Sequence, residues 1–109
     1  MTEPTILSIE TNLDDTCAAV TIGRRVISSV VSSQTSYHAS WGGTVPDIAK
    51  RLHVEWLPKV VNRALRQAGI TDSRINGFTG FRKLDALAVT MGPGLAPSLE
   101  QGISYCKQL

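Results

Sequence analysis

An acidic stretch near the N-terminus carries the side chains in this sequence best suited to phosphate chemistry. Residues 10–16 read Glu-Thr-Asn-Leu-Asp-Asp-Thr and lie between two segments with strand character. In such a hairpin, backbone amides and the Thr16 hydroxyl can donate hydrogen bonds to phosphate oxygens. Asp14 and Asp15, the candidates for a catalytic role, can approach a phosphate only through a divalent cation or a water, because two anions repel. A plain β-turn, in which Asp and Asn are common, stays open as the alternative.

Residues 91–95, Met-Gly-Pro-Gly-Leu, form a second candidate for ligand binding. They follow an apolar segment typical of a strand and precede a helical pattern. Glycine lets a ligand approach the backbone closely, and a helix N-terminus attracts anions. The segment contains neither a Walker loop nor the GxGxxG of dinucleotide-binding proteins. Gly92, Pro93 and Gly94 therefore predict either a ligand-facing turn or an ordinary connection between strand and helix.

The two histidines, His38 and His53, do not predict a complete metal site. No third His or Cys stands at ligand spacing from them, so we expect no metal to be bound by this chain alone. His53 lies in a helical segment and Glu55 two residues later, so their side chains point to different sides of the helix. No nucleophile–base pair is predicted, and we interpret His53 as a structural or interface residue.

Composition predicts one small folded domain and excludes a disordered chain. The sequence has 109 residues, 42% of them hydrophobic, and a net charge of +2, which is too small to indicate nucleic-acid binding by itself. The basic residues of one helical segment form either a solvated face or a patch for RNA phosphates or an acidic partner. They are Lys50, Arg51, Lys59, Arg63 and Arg66.

Two features indicate the cellular environment. Cys17 and Cys106 match no zinc or CxxC spacing and lie in apolar segments, so we expect free thiols in a reducing compartment. No apolar run approaches the roughly 20 residues of a membrane span, and the N-terminus lacks a secretory signal pattern. We therefore expect a cytoplasmic protein without membrane association.

Hydrophobic patterning predicts the elements that position these residues. Three segments rich in β-branched residues with short connections between them are typical of an antiparallel meander. A more continuously apolar segment later in the chain predicts a fourth, buried strand. The predicted strands are 5–11, 16–22, 26–34 and 84–90, with loops at 35–43 and 70–83.

The helical pattern begins at Pro46, with Thr44 as the candidate cap, and ends at Gly69. Pro58 lies inside it, which predicts either a kink near Glu55 or the end of one helix and the start of another. A last helix is predicted at 97–109. The order β-β-β-α-β-α is that of an α/β fold.

Three long segments together resemble one protein family. SIETNLDDTCAAV, residues 8–20, resembles the family's S-I-E-T-S-C-D-D/E-T. HASWGGTVPDIAKRLHVEWLP, residues 38–58, resembles H-x-x-Y-G-G-x-V-P-E-x-A-x-R-x-H-x-x-x-x-x-P. LDALAVTMGPGLAPSL, residues 84–99, resembles I-D-x-I-A-V-T-x-G-P-G-L-x-x-S-L. The family is that of the tRNA N6-adenosine threonylcarbamoyltransferases of the bacterial and organellar, TsaD-like type, formerly described as O-sialoglycoprotein endopeptidases.

This resemblance implies the actin-like ATPase fold, shared with sugar kinases and Hsp70, with residues 1–109 as part of the N-terminal lobe of a truncated two-lobed protein. The family transfers a threonylcarbamoyl group from its adenylate to N6 of adenosine 37 in tRNAs that read ANN codons. By position, Asp14, Asp15 and Thr16 would face the phosphates of threonylcarbamoyl-adenylate or ATP, and the residues 92–94 would flank the cleft. The iron or zinc ion of the family would be held by residues beyond Leu109, so the isolated chain is expected to be inactive.

The resemblance leaves two alternatives open. The chain is either part of the enzyme, with tRNA as partner, or a non-catalytic module that forms a homodimer or binds a shorter paralogue through its helices. Another actin-like kinase is the weaker alternative, because such kinases lack the block from Gly42 to His53. Asn12 and Leu13 depart from the family's Ser-Cys, Trp41 replaces its Tyr, and GFTGFRK at 77–83 resembles an insertion.

Overall fold

The computed structural model describes residues 3–70 and 84–109, so the predicted GFTGFRK insertion lies outside the described residues. The predicted order of strands and main helices is confirmed. The elements are the strands β1 (Thr5–Glu10), β2 (Asp15–Ile22), β3 (Arg25–Ser33) and β4 (Ala86–Val89), the helices α1 (Thr35–His38), α2 (Pro46–Gln67) and α3 (Ala96–Lys107), and a 3-10 helix at Ala39–Trp41.

The four strands form one sheet in the order β3-β2-β1-β4. β1 pairs antiparallel with β2, and β2 with β3, as the meander predicts. β4 pairs parallel with β1, from Ile6 opposite Ala86 to Ile9 opposite Val89. Because parallel strands point the same way, the segments that follow β1 and β4 leave the sheet at one edge. These segments are the acidic stretch and the Met-Gly-Pro-Gly-Leu turn.

One face of the sheet is covered by helices. Side chains alternate along β1 and β2, so that Leu7, Ile9, Ala18 and Val20 are buried. They form the hydrophobic core with Leu57 and its neighbours on α2, and side chains near the end of α3 pack against that core. The buried residues of α2 are Ala49, His53, Leu57, Val60, Val61, Ala64 and Leu65.

Helix α2 is continuous although Pro58 lies inside it, so the prediction of two helices is wrong. Pro58 and Val54 are both exposed, so water can hydrogen-bond the Val54 carbonyl that loses its helical donor. At the C-terminal end, Gly69 has φ +73°, Gly69 N–H donates to Arg66 O, and Ile70 N–H donates to Leu65 O. This Schellman arrangement confirms the predicted glycine cap.

Three local predictions are corrected. The segment 35–43 is not all loop, since it holds α1 and the 3-10 helix. Within it the His38 side chain bonds Gln34 four residues earlier, a pairing that apolar periodicity does not reveal. Thr44 is not the cap of α2: the helix begins at Pro46 as predicted, and the N-cap is Val45, directly before it, without a side-chain bond. β4 is not buried, because among the described residues it pairs on one side only, and Leu87 is 38% exposed.

Candidate functional site

The two segments singled out in the sequence meet at the edge of the sheet. Leu95 N–H donates a hydrogen bond to Asn12 O at 2.8 Å. A Cβ atom on Gly94 would lie 2.5 Å from the same carbonyl oxygen, so only glycine allows this approach. Gly92 and Pro93 stand beside this contact on the exposed surface. The parallel pairing of β1 with β4 therefore brings together the acidic stretch and the segment 91–95, called the glycine turn below, as a ligand-binding edge requires.

The backbone between β1 and β2, residues 11–14, is called the acidic turn below. Its carbonyl groups at three successive positions are held by three different parts of the fold. Asn12 O accepts from Leu95 N–H, Leu13 O accepts from His53 Nε2–H at 3.0 Å, and Asp14 O accepts from Gln34 N–H at 2.7 Å. These three carbonyl groups are therefore held by other parts of the domain, and not by side chains of the turn itself.

Asp14 also borders a cavity that is not lined by residues of the glycine turn. The cavity has a volume of about 340 Å³ and lies between the acidic turn and the loop before α2. Asp14 and Asp15 are both half-buried. The cavity is lined by Asp14, Thr35, His38, Ala39, Gly42, Gly43 and Thr44. The acidic turn thus contacts the glycine turn at Asn12 and borders this cavity at Asp14.

Thr16 is fully buried, and its hydroxyl lies 2.8 Å from His53 Nδ1. This hydroxyl was predicted to donate to a phosphate. In the structure it donates to the imidazole, because His53 Nε2 carries the proton that bonds Leu13 O and Nδ1 is left as an acceptor. The binding of phosphate by Asp14, Asp15, Thr16 and the residues 92–94 stays a prediction.

A second pair of buried polar side chains extends this arrangement. Gln34 Oε1 accepts from His38 Nε2–H at 2.8 Å, and His38 Nδ1 accepts from Val45 N–H at 3.0 Å. Gln34 Nε2 lies 3.4 Å from both Ala49 O and His53 Nδ1. Gln34, His38 and His53 are all at most 3% exposed. Their mutual hydrogen bonds satisfy polar groups that burial would otherwise make costly.

Burial lowers the pKa of His53 below its usual value of 6.5. Removal from water disfavours the imidazolium, and the nearby His38 acts in the same direction. The bond to Leu13 O and the carboxylates of Asp14 and Asp15 oppose this effect in part. His53 is therefore neutral at physiological pH, as the bond from Thr16 to Nδ1 requires.

Thr11 joins the acidic turn to α3. Its hydroxyl donates to Ser98 O at 2.7 Å and accepts from Gly102 N–H at 3.2 Å. A Cβ atom on Gly102 would lie 2.7 Å from the same hydroxyl, so the helix can come this close only because residue 102 is glycine. The start of α3 is thus held against the end of β1.

The described residues contain no group of three or more His, Cys, Asp or Glu side chains that could hold a metal ion. Cys17 and Cys106 are both free thiols. Burial, followed by the charges of Glu10 and Asp15, raises the pKa of Cys17 to about 11. In residues 3–70 and 84–109, no helix has the length and apolar character to cross a membrane.

Sequence reasoning did not find Gln34 and gave His38 no role. One signal was available for Gln34. Positions 28 and 30 of β3 face the core, and the period of two residues places position 34 on the same side. A polar side chain there must find a buried partner. The pairing of that partner with His38 and His53 depends on tertiary contacts, which the sequence pattern does not encode.

Comparison with known proteins gives a consistent result. A family model described as "tRNA N6-adenosine threonylcarbamoyltransferase" matches residues 25–109. A protein of that name from Clostridium perfringens is 44% identical over 110 aligned positions, which span 100% of this chain and 30% of the relative. One from Trichlorobacter lovleyi is 48% identical over 95% of this chain and 28% of its own length. The chain therefore spans about 30% of the length of the curated relatives it matches.

A solved structure supports the fold. YeaZ from Pseudomonas aeruginosa superimposes with a TM-score of 0.67 over 96% of this chain and 38% of that protein, at 20% sequence identity. At this identity the likeness concerns the fold alone. The predicted α/β architecture is confirmed by this match and by the four-stranded sheet.

Proposed function

Because this chain belongs to the family of tRNA N6-adenosine threonylcarbamoyltransferases, TsaD, we propose that it is the N-terminal part of such an enzyme. The complete enzyme would act in the cytoplasm. It would transfer threonylcarbamoyl from threonylcarbamoyl-adenylate to N6 of adenosine 37 in tRNAs that read ANN codons. Residues 1–109 would belong to the first of two lobes.

The observation that carries this proposal is the contact between the two segments predicted to face the nucleotide. Leu95 N–H bonds Asn12 O, which places the acidic turn beside the glycine turn at the edge of the sheet. In an α/β sheet this edge is where ligands bind. Asp14 and Asp15 would act on phosphate oxygens through water or a cation, and Gly92, Pro93 and Gly94 would border the nucleotide.

The iron or zinc ion that the family resemblance implies does not fit the described residues. They offer no cluster of three side chains of the kinds that bind such ions. The family resemblance predicts the metal ligands beyond Leu109, and we derive no step through the metal. Since catalysis also needs groups from both lobes in one geometry, residues 1–109 alone would not modify tRNA.

The proposal is tested on the polypeptide as its gene encodes it. This protein, threonylcarbamoyl-adenylate and a tRNA that reads an ANN codon are incubated, and modified adenosine is quantified by mass spectrometry of the nucleosides. We expect Asp14→Asn to slow the reaction on the order of 10²-fold. Asp47→Asn, at an exposed position in the first turn of α2, is the matched control and should be as active as the wild type.

Absence of modified adenosine with the wild-type protein would contradict the proposed activity. Equal rates for the two Asp→Asn variants would contradict the role of the acidic turn. A chain of residues 1–109 that modified tRNA without other components would disprove the requirement for a second lobe.

A second function, as a module that forms a homodimer or binds a shorter paralogue, is favoured by one observation. Trp41 and Val54, before and within α2, are 68% and 54% exposed, although both are large apolar side chains. Light scattering over a range of concentrations tests this function. Dimerisation that Val54→Lys abolishes would support it, and a monomer at high concentration with no affinity for a paralogue would oppose it.

A further inference from the structure

The buried polar side chains of α2 and of the segment before it are not explained by packing alone. Helix α2 faces the core with apolar residues except at His53, which is fully buried. An apolar side chain at this position would fill the same space without needing partners. A buried imidazole is costly unless it is hydrogen-bonded, so its contacts indicate what it does.

We propose that His53 is a positioning residue for the acidic turn: its Nε2–H holds the Leu13 carbonyl so that the backbone N–H groups of Leu13 and Asp14 face a bound phosphate. The part of this inference that concerns a bound phosphate rests on the proposed function. The positioning itself rests on geometry within the described residues.

The first step of the argument is the direction of the hydrogen bonds. Leu13 O can only accept, so His53 Nε2 must carry a proton. Thr16 then donates to the lone pair of Nδ1. This fixes one tautomer, and it gives the buried Thr16 hydroxyl a role, since the hydroxyl keeps Nε2–H directed at the turn. The hydrogen-bond partner of one imidazole nitrogen thus determines whether the other nitrogen donates or accepts a hydrogen bond.

The second step is the planarity of the peptide group. In a trans peptide, the carbonyl of one residue and the N–H of the next point in opposite directions. Leu95 N–H donates to Asn12 O, and His53 Nε2–H donates to Leu13 O, so each carbonyl points toward its donor in another part of the domain. The N–H groups of Leu13 and Asp14 must then point away from those donors. Neither N–H has a hydrogen-bond partner among residues 3–70 and 84–109.

The third step singles out His53 among the three donors to the acidic turn. The N–H groups of Leu95 and Gln34 belong to the backbone and are present whatever side chains those positions carry. His53 provides the only one of these three bonds that comes from a side chain. In a turn, successive N–H groups that point to the same side can form an anion-binding concavity. Its shape at Leu13 therefore depends on one side chain of α2.

Two substitutions separate positioning from simple packing. The amide nitrogen of Gln reaches about as far as imidazole Nε2, so His53→Gln can still donate to Leu13 O. The amide of Asn reaches only as far as Nδ1, so the Asn side chain in His53→Asn can form a hydrogen bond with the Thr16 hydroxyl but not with Leu13 O. Both variants lose part of a buried polar network, and we expect both to lower the urea midpoint to a similar degree.

The readouts are amide hydrogen exchange of residues 13–15 and the dissociation constant for ATP, both measured on the polypeptide as its gene encodes it. We expect His53→Asn to speed exchange and to weaken ATP binding roughly tenfold, and His53→Gln to stay close to the wild type in both. If both variants change exchange and affinity equally, in proportion to their loss of stability, the role of His53 is only structural and the proposal is overturned.

A measurement on the wild type covers the case in which the variants do not fold. The ¹⁵N chemical shifts of the His53 ring should show a protonated Nε2 and an unprotonated Nδ1 at pH 7.5. The opposite tautomer would overturn the proposal. If the wild type does not bind ATP while exchange at residues 13–15 still separates the two variants, the proposed function fails but the positioning by His53 stands.

Discussion

The two faces of the sheet are built from neighbouring residues of the same strands but differ in whether helices cover them. On one face Leu7, Ile9 and Val20 lie under α2, together with the buried Thr16. On the other, Ser8, Cys17, Ala19, Ser29 and Val31 border an open cavity of about 370 Å³. In the ranges 3–70 and 84–109, helices pack on the first face and none packs over that cavity.

The covered face holds both the hydrophobic core and the side chain that fixes the acidic turn. His53 lies on the same stripe of α2 as Leu57 and Val61, so the packing that stabilises the domain also places the imidazole under Leu13. Stability and site geometry are therefore coupled on this face. Changes on the open face should leave both nearly unchanged, and the following predictions test this difference.

The largest difference is expected for apolar truncations on the two faces. Leu57→Ala removes a side chain that is 2% exposed in the core, which should lower the free energy of unfolding by about 2–5 kcal/mol. Val31→Ala, at a residue 61% exposed on the open face, should change it by less than about 0.5 kcal/mol. Urea denaturation followed by circular dichroism measures both. Equal losses would show that the open face is covered in solution.

A smaller difference is expected for two glycines. Gly102→Ala places a Cβ atom against Thr11 Oγ1, and α3 must move, at a cost of about 1–3 kcal/mol. Gly43→Ala meets no atom within 4 Å, and Gly43 has no positive φ, so stability should be unchanged or slightly higher. Thermal unfolding compares the two variants. A stable Gly102→Ala variant would mean that α3 does not pack closely on Thr11.

The sequence was sufficient for what depends on local patterns. The strands of the meander, the start of α2 at Pro46 and the glycine cap at Gly69 follow from residue types and spacing. The family resemblance indicated that the acidic turn and the residues 92–94 belong to one site. Their direct contact depends on the parallel pairing of β1 with β4, which joins residues about eighty positions apart.

What the sequence could not provide depends on tertiary surroundings. Pro58 is tolerated inside α2 because it faces solvent, and β4 is exposed because its second edge has no neighbour among the described residues. The sequence predicts no more than a structural or interface role for His53, because its partners Leu13 and Thr16 lie about forty residues away in the chain. A pattern of polar and apolar residues does not contain such pairings.

The covered face should also make stability depend on pH. The pKa of His53 is lowered in the folded state, so the unfolded chain binds more protons at mildly acidic pH. The contribution of neutral His53 to stability is present above the unfolded pKa of about 6.5 and is lost as pH falls through the lowered folded pKa. Over this range the free energy of unfolding should fall by at most about 1.4 kcal/mol per pH unit. Urea denaturation from pH 7.5 to 5.0 measures this slope. His53→Gln, which does not titrate, should show a smaller slope, and an unchanged slope would assign it to other groups.

The smallest effect is expected on the open face, at Cys17, and it concerns reactivity. The thiol borders the open cavity, yet burial and the carboxylates of Glu10 and Asp15 raise its pKa to about 11. Only the thiolate attacks alkylating agents, so Cys17 in a Cys106→Ser background should react with iodoacetamide at pH 8 about tenfold more slowly than the same protein in urea. Replacing Glu10 by Gln should speed the native reaction, since it removes one of the charges that raise the pKa. If native and unfolded protein react equally fast, the open face at Cys17 is more exposed to water than the structure shows. The two faces would then differ in exposure to water by more than described.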